Sequence, residues 1–340
     1  MVLPWSFCFY CMLALGSARQ NVSNTLKKGS AMADLTEVDY IWKNGEIVPW
    51  AEATTHVLTH ALHYGSGVFE GIRCYHNTDT DEAVVFRLED HMKRLHNSAK
   101  IAHMELPYSV EELCQATVDI IKANKLKSCY IRPLAYYGYG QMGVDPTGAP
   151  VDVIIAVWPW DAYLGEEALE NGVSVGISSW RQRSFNAIPP AVKSTASYMN
   201  SILAKLEAKE HGYAEAIMLN EVGHVCEGTG ENLFIVRDGI LMTPPLGDGL
   251  LEGITRDTVL NIAVDMDIPA LEETLNRSDL YVADEMFMTG SAAELTPIGS
   301  VDNRVIGKPG PITKALQERY FDVDYGKVPE YEEWITRIAE

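Results

Sequence analysis

Ala187-Ile188-Pro189-Pro190-Ala191-Val192-Lys193-Ser194-Thr195-Ala196-Ser197-Tyr198 is the stretch on which the reading of this chain turns. The paired prolines forbid helix before the lysine. After it, a small and polar run passes into an amphipathic helix over residues 196–211, with Met199, Ile202, Leu203 and Leu206 as its apolar stripe. A lysine at such a junction, with Tyr198 five residues on, is placed like an internal amine nucleophile. Standing alone, a loop lysine is the simpler reading. The rest of the chain has to supply its partners.

Working outward, residues 173–180 read as a strand, and hairpins are expected around Glu221-Val222-Gly223 and Asp238-Gly239. Helices are expected near residues 254–266, 278–283 and 312–320. Toward the N-terminus, Asn44-Gly45 joins two short strands with a type I′ turn signal. Residues 83–88 run as a strand into a helix carrying Met92, Leu95, Ala99 and Ala102. A second helix spans residues 110–123, and continuous apolar runs at 129–137 and 151–158 suggest buried strands. Residues 162–172, rich in glutamate with two glycines, make the best linker. Strands and helices mix without strict βαβ alternation, so the expected class is α+β in two domains, 37–163 and 173–340, joined by a linker at 164–172.

Hydrophobic residues make up 47% of the 340 and charged residues 22%, which is a globular balance with ample material for a core. The net charge of −20 argues against nucleic acid and anionic membrane as partners. Any anionic ligand would need locally clustered arginines. The six cysteines are scattered, and only Cys8-Phe9-Tyr10-Cys11 forms a CxxC, with no second pair to complete a zinc site. A reduced, cytoplasmic setting is the simpler compartment. The first eighteen residues are apolar but lack a basic start, and the run is short for a spanning helix. Met32 opens a natural globular start, so residues 1–36 are expected to be a disordered extension or a misassigned start.

Gly138-Tyr139-Gly140-Gln141-Met142-Gly143 matches GxGxxG, yet Val144-Asp145-Pro146 cannot open the helix that a pyrophosphate site requires. It reads instead as a glycine-rich loop over a pocket. No HExxH, no metal partner set and no GxSxG elbow occurs. Arg132 lies inside the apolar strand Tyr130-Ile131-Arg132-Pro133-Leu134, where a buried guanidinium must be paired. Either a ligand carboxylate or phosphate, or an internal glutamate, could satisfy it. Gly253-Ile254-Thr255 enters a helix with free N–H groups that suit a phosphate, and Gly290-Ser291-Ala292-Ala293 is a second small-residue turn able to present N–H groups. Glu227, among glycines and an asparagine, is either a loop solvator or a placed carboxylate.

Together these residues resemble the branched-chain amino acid aminotransferases of the fold-type IV pyridoxal phosphate family, over about residues 38–320. The resemblance is carried by His60-Ala61-Leu62-His63-Tyr64-Gly65, Val68-Phe69-Glu70-Gly71-Ile72-Arg73-Cys74-Tyr75, His91-Met92-Lys93-Arg94-Leu95, Glu227-Gly228-Thr229-Gly230-Glu231-Asn232-Leu233-Phe234 and Gly253-Ile254-Thr255-Arg256-Asp257. It implies two domains with the active site at their interface and pyridoxal 5′-phosphate as cofactor. Lys193 would be the Schiff-base lysine and proton carrier, with its pKa lowered. Arg94, Ile254, Thr255 and Ser291 would hold the phosphate, Glu227 would pair with the pyridine nitrogen, and Tyr198 would reach the ring's phenolic oxygen. Tyr64, Phe69, Arg73, Trp160 and Tyr163 would line the side pocket. Arg132 would clamp the distal carboxylate of glutamate, and the Ser291-Ala292 backbone would take the α-carboxylate. Val144 would enter from a neighbouring subunit, making a homodimer the minimum unit. The chain departs from the pattern after Lys193, where Ser194-Thr195-Ala196-Ser197 replaces an expected glycine-rich run. The implied reaction moves the amino group of leucine, isoleucine or valine to 2-oxoglutarate. A D-amino acid aminotransferase or an aminodeoxychorismate lyase of the same fold is the alternative.

Overall fold

A computed structural model describes residues 35–160 and 166–339. Asn44 and Gly45 both take positive φ, 49° and 93°, and make the expected I′ turn between β1 (Tyr40–Lys43) and β2 (Glu46–Pro49). Next come α1 (His60–Tyr64), β3 (Gly67–Phe69), β4 (Ile72–Asn77) and β5 (Glu82–Phe86). α2 (Leu88–Ile101) follows, then α3 (Val110–Ala123), which starts at a reciprocal Ser109–Glu112 capping box. β6 (Cys129–Tyr137) and β7 (Val151–Trp158) sit where the apolar runs placed them. The first sheet orders the segment Ile335–Ile338, then β5, β4, β6, β7, β1 and β2, with β3 also on β6. One face of it packs Ile72, Val85, Ile131 and Val153 against Leu95 of α2 and Ile120 of α3.

The expected linker is helical in its second half, as α4 (Glu166–Asn171), whose Ala168 is buried. β8 (Val173–Arg181), α5 (Tyr198–Glu210), β9 (Glu215–Leu219), β10 (Val225–Gly228), β11 (Asn232–Arg237) and β12 (Ile240–Thr243) follow. Then come α6 (Ile254–Asp265), β13 (Ala270–Glu272), α7 (Arg277–Tyr281), β14 (Glu285–Gly290), β15 (Glu294–Val301), β16 (Arg304–Val305), α8 (Pro311–Asp324) and β17 (Ile335–Ile338). β10 pairs with both β9 and β11, so β10-β9-β8-β15-β14-β11 close into a ring filled by Val175, Ile217, Leu233 and Met288. Another core joins the two sheets. In it Tyr75, Val84 and Phe86 meet Phe234 and Phe287, which stack with centroids 5.0 Å apart, under Leu316 and Tyr320 of α8.

α5 differs from expectation. Met199, Ile202 and Leu206 stay out of the core, with exposures of 63%, 50% and 51%, and Ile202 and Leu206 border a cavity instead. The buried face is Ser201, Ala204 and Ala208. Small residues at this spacing let the helix lie close on β8 and β9, so its buried stripe is not its most apolar one. The readings for residues 1–31 lie outside the described residues.

Where α5 meets the ring, Lys205 pairs with Glu215 at 2.5 Å, and Glu215 also accepts the Thr229 hydroxyl at 2.8 Å. Glu231 lies beside them and accepts from the Gly230 N–H at 3.0 Å. Burial, and then the Glu215 carboxylate, push the Glu231 carboxyl up to about 8. The folded chain therefore keeps a proton that an unfolded carboxyl, near 4.5, has lost. Stability linked to Glu231 should fall as pH rises between those two values. Glu231→Gln removes this titration, so its urea midpoint relative to the parent should climb between about pH 5 and pH 8. A constant offset across that window contradicts the assignment.

Candidate active site

Lys193 is pinned by its backbone. Its carbonyl accepts from the Phe69 N–H at 3.0 Å, and its N–H donates to the Ser98 hydroxyl of α2 at 3.2 Å. Val68 and Ser194 form an isolated antiparallel bridge. The departures after Lys193 have local work: the Ser194 side chain caps one 3₁₀ turn over Thr195–Ser197, and the Thr195 hydroxyl reaches the Gly65 carbonyl at 2.9 Å. A Cβ on Gly65, at φ 63°, would lie 2.9 Å from that of Ala196, so only glycine allows this approach. The turn delivers Tyr198 to the start of α5, with its hydroxyl 2.9 Å from Lys193 Nζ and its ring 4.8 Å from Phe69.

Lys193 is held above the ordinary lysine range. Burial pulls it down and Arg94 adds to this, but Tyr198 and Glu70 outweigh both. The expected lowering is therefore corrected. Beside Tyr198, Glu70 is the contributor that the sequence reading lacked. It is fully buried and grips Arg94 at both oxygens, 2.8 and 2.7 Å, while His91 bonds it at 2.7 Å. These partners, Arg94 first, hold the Glu70 carboxyl far below the usual range against the opposing pull of burial. A glutamate between Phe69 and Gly71 in an apolar run was the signal available for it.

Arg94, so oriented, borders a cavity of about 350 Å³ between the two sheets, together with Lys193 and Tyr198. Gly253, Ile254 and Thr255 enter its wall at the start of α6, which has no side-chain cap. A Cβ on Gly253 would fall 1.8 Å from Asn232 Oδ1, so the backbone stays bare there. Ser291 and Ala292 form the adjacent wall, where the buried Thr289 Oγ1 has no hydrogen-bond partner among the described residues. Uncapped N–H groups, a fixed guanidinium and an amine at one cavity suit an anionic aldehyde such as pyridoxal phosphate. Glu227 lines an adjoining recess shared with Lys193 and Tyr198. Gln182 and the Leu251 N–H, the latter at 3.0 Å, bond its two oxygens, and burial raises its carboxyl above the usual range. A carboxyl so placed can share a proton with a ring nitrogen.

The substrate side has Phe69, Arg132 and Trp160 on the cavity wall. The Arg132 guanidinium lies 4.8 Å from the Phe69 ring centroid, 5.4 Å from that of Tyr130 and 5.9 Å from that of Trp158. Among the described residues its buried Nε has no hydrogen-bond partner, and no carboxylate pairs with it. Of the two readings left open for it, the internal salt bridge is absent there. Tyr130 also lines the cavity and was missed. Its place two residues before Arg132 on one strand face was the available signal.

Three expected residues stand elsewhere in this chain. Arg73 shares a sheet face with its ladder partner Tyr130 but does not border the cavity: it is buried behind the wall, where it pairs with Glu294 at 3.5 Å. Tyr64 is 42% exposed on α1 and its hydroxyl accepts from the Gly143 N–H at 3.2 Å. Val144 is 88% exposed. The glycine-rich loop is tied to α1, where His60 Nε2 also meets the Gly143 carbonyl at 2.7 Å, and it does not border the cavity of its own chain. Tyr163 lies outside the described residues.

Residues 67–301 match the class IV amino-transferase family. The branched-chain-amino-acid aminotransferase of Escherichia coli strain K12 is 48% identical over 308 residues, covering 89% of this chain and 99% of that protein. The crystal structure of the Escherichia coli branched-chain amino acid aminotransferase superposes with a TM-score of 0.87 at 47% identity, over 89% of this chain and 100% of the other. The branched-chain amino acid aminotransferase from Thermobaculum terrenum, in its PLP-bound holo-form, gives a TM-score of 0.85 at 39% identity, over 89% and 99%. With a fold-type IV scaffold, a half-buried lysine at the sheet junction and these relatives, the chain belongs to the class IV aminotransferases.

Proposed function

We propose that this chain is a branched-chain L-amino acid aminotransferase that uses pyridoxal 5′-phosphate and 2-oxoglutarate. The observation that carries the reading is one cavity with an amine at its floor, an anion cradle on one wall and an apolar wall bearing a guanidinium that no carboxylate among the described residues holds. Pyridoxal phosphate, when bound, supplies an aldehyde for amines and a protonated ring that draws electrons from the substrate α-carbon. Arg94, with the α6 N-terminus at Ile254 and Thr255 and with Ser291, would hold its phosphate. Glu227 would keep the ring nitrogen protonated.

Lys193 carries the proton at the substrate α-carbon, and Tyr198, 2.9 Å away, is the group able to exchange that proton with it. Phe69, Tyr130 and Trp160 give a branched aliphatic side chain an apolar wall. Arg132 rests over aromatic faces when leucine is bound and pairs with the distal carboxylate when glutamate is bound.

A homodimer belongs to the same proposal. Leu62, Tyr64, Tyr139, Met142 and Val144 are all exposed on α1 and the loop tied to it, an apolar surface suited to a second copy. A cytoplasmic setting agrees with the net charge of −20 and with the free thiols of Cys74, Cys114, Cys129 and Cys226.

Arg132→Ala should cut kcat/KM for glutamate about a hundredfold while leucine loses less than about fivefold, since only glutamate brings a second carboxylate. Equal losses sink the assignment. Lys193→Ala should abolish turnover of leucine, valine and isoleucine yet still take up the cofactor, followed by absorbance and by thermal protection. Residual transamination near the parent rate contradicts the role of Lys193.

A further inference from the structure

Arg73 stands outside the cavity, yet what it holds is part of the cavity wall. β14 and β15 are joined through Ser291, Ala292 and Ala293, with Gly290 opposite Glu294 in register. The first residue of β15 after this loop, Glu294, takes a left-handed conformation at φ 55°, a region usually left to glycine. A side chain in this region carries a steric cost, so its surroundings must hold it there.

Glu294 is 4% exposed, and its Oε1 lies 3.5 Å from an Arg73 guanidinium nitrogen. Arg73 is itself buried and sits 5.3 Å from the ring centroid of Tyr75, which is 1% exposed. The start of the turn is fixed separately, since a Cβ on Gly290 would lie 3.3 Å from the Gly230 carbonyl oxygen. Between these two anchors, Ser291 and Ala292 face the cavity.

We propose that Arg73 is a positioning residue for substrate carboxylates: through Glu294 it sets the 291–293 turn, whose N–H groups receive the α-carboxylate of every substrate. This rests on the aminotransferase reading above. It separates two carboxylate functions, because Arg132 serves only the distal carboxylate of glutamate, whereas the Arg73–Glu294 pair serves the group that leucine and glutamate share.

The test uses holoenzyme of the parent, Arg73→Met, Glu294→Gln and Glu294→Gly. Each is titrated with 4-methylvaleric acid, which has the shape of leucine without its amine, by cofactor absorbance and calorimetry. KM and kcat for leucine and glutamate, cofactor affinity and melting temperature are measured alongside. Arg73→Met and Glu294→Gly should each bind the acid about tenfold more weakly, and should raise KM for leucine and glutamate alike. Cofactor affinity should fall by less than about threefold, because Arg94 and the α6 N-terminus still hold the phosphate when Ser291 shifts. Glu294→Gln keeps the shape and polarity of the side chain beside Arg73 and should lose less than about threefold. If Arg73→Met fails to fold, Glu294→Gly still decides the matter, since glycine is at home in the left-handed region. Folded variants that bind the acid as the parent does, or that raise KM for glutamate alone, overturn the inference. A parent that neither binds the acid nor turns over leucine overturns the aminotransferase reading, and this inference with it.

Discussion

Everything at this site depends on two backbone hydrogen bonds to one residue. Lys193 gives its carbonyl to the Phe69 N–H and its N–H to the Ser98 hydroxyl, so the first sheet and α2 hold the peptide on either side of the amine. The next residues climb one 3₁₀ turn into α5, which lies on the second ring of strands. The nucleophile is therefore fixed at the seam between the two sheets, where its side chain has only a short reach to Tyr198. Because both contacts use the main chain of Lys193, they are independent of the lysine side chain. The amine can change partners while its root stays still, which pre-organises the site.

The second constraint is electrostatic. A chain with a net charge of −20 must build a site for anions, and it does so locally. Arg94, Arg132 and Lys193 converge on one cavity. Glu70 is held off the cavity wall, with both oxygens occupied by Arg94 and one shared with His91. The guanidinium is thus aimed by a buried anion, while Arg132 is left over aromatic faces with no competing carboxylate among the described residues. One arginine is rigid and the other adaptable, which fits a phosphate that stays and substrates that alternate.

Much of this was legible in the chain. Asn44-Gly45, the helical run over 110–123 and the continuous apolar strands β6 and β7 are local signals with local causes, and each element formed where the pattern put it. The residues around Lys193, Tyr198, Arg94 and the α6 N-terminus gather as expected. What failed was set by partners distant in sequence. α5 buries alanines and serine because the ring of strands comes close, which the periodicity of its larger side chains conceals. Arg73 and Arg132 look alike along the chain and share one sheet face, but Glu294 holds Arg73 behind the cavity wall. The direction of the Lys193 shift followed from Tyr198 and then from Glu70, the latter more than a hundred positions earlier. Closure of β10 onto both β9 and β11 likewise has no local signature.

β17 adds a different kind of constraint. It lies along β5 in register, Ile335 opposite Phe86 and Ile338 opposite Ala83, and Arg337 secures it to Glu82 at 3.0 Å across 255 positions. The first strands to leave the ribosome therefore wait for one of the latest. Until residues 335–338 have been synthesised, β5 is an open edge of buried Val84 and Val85, able to template any passing extended chain. Vectorial synthesis and strand order run in opposite senses here, and the nascent polypeptide must be shielded along that edge while the second ring assembles.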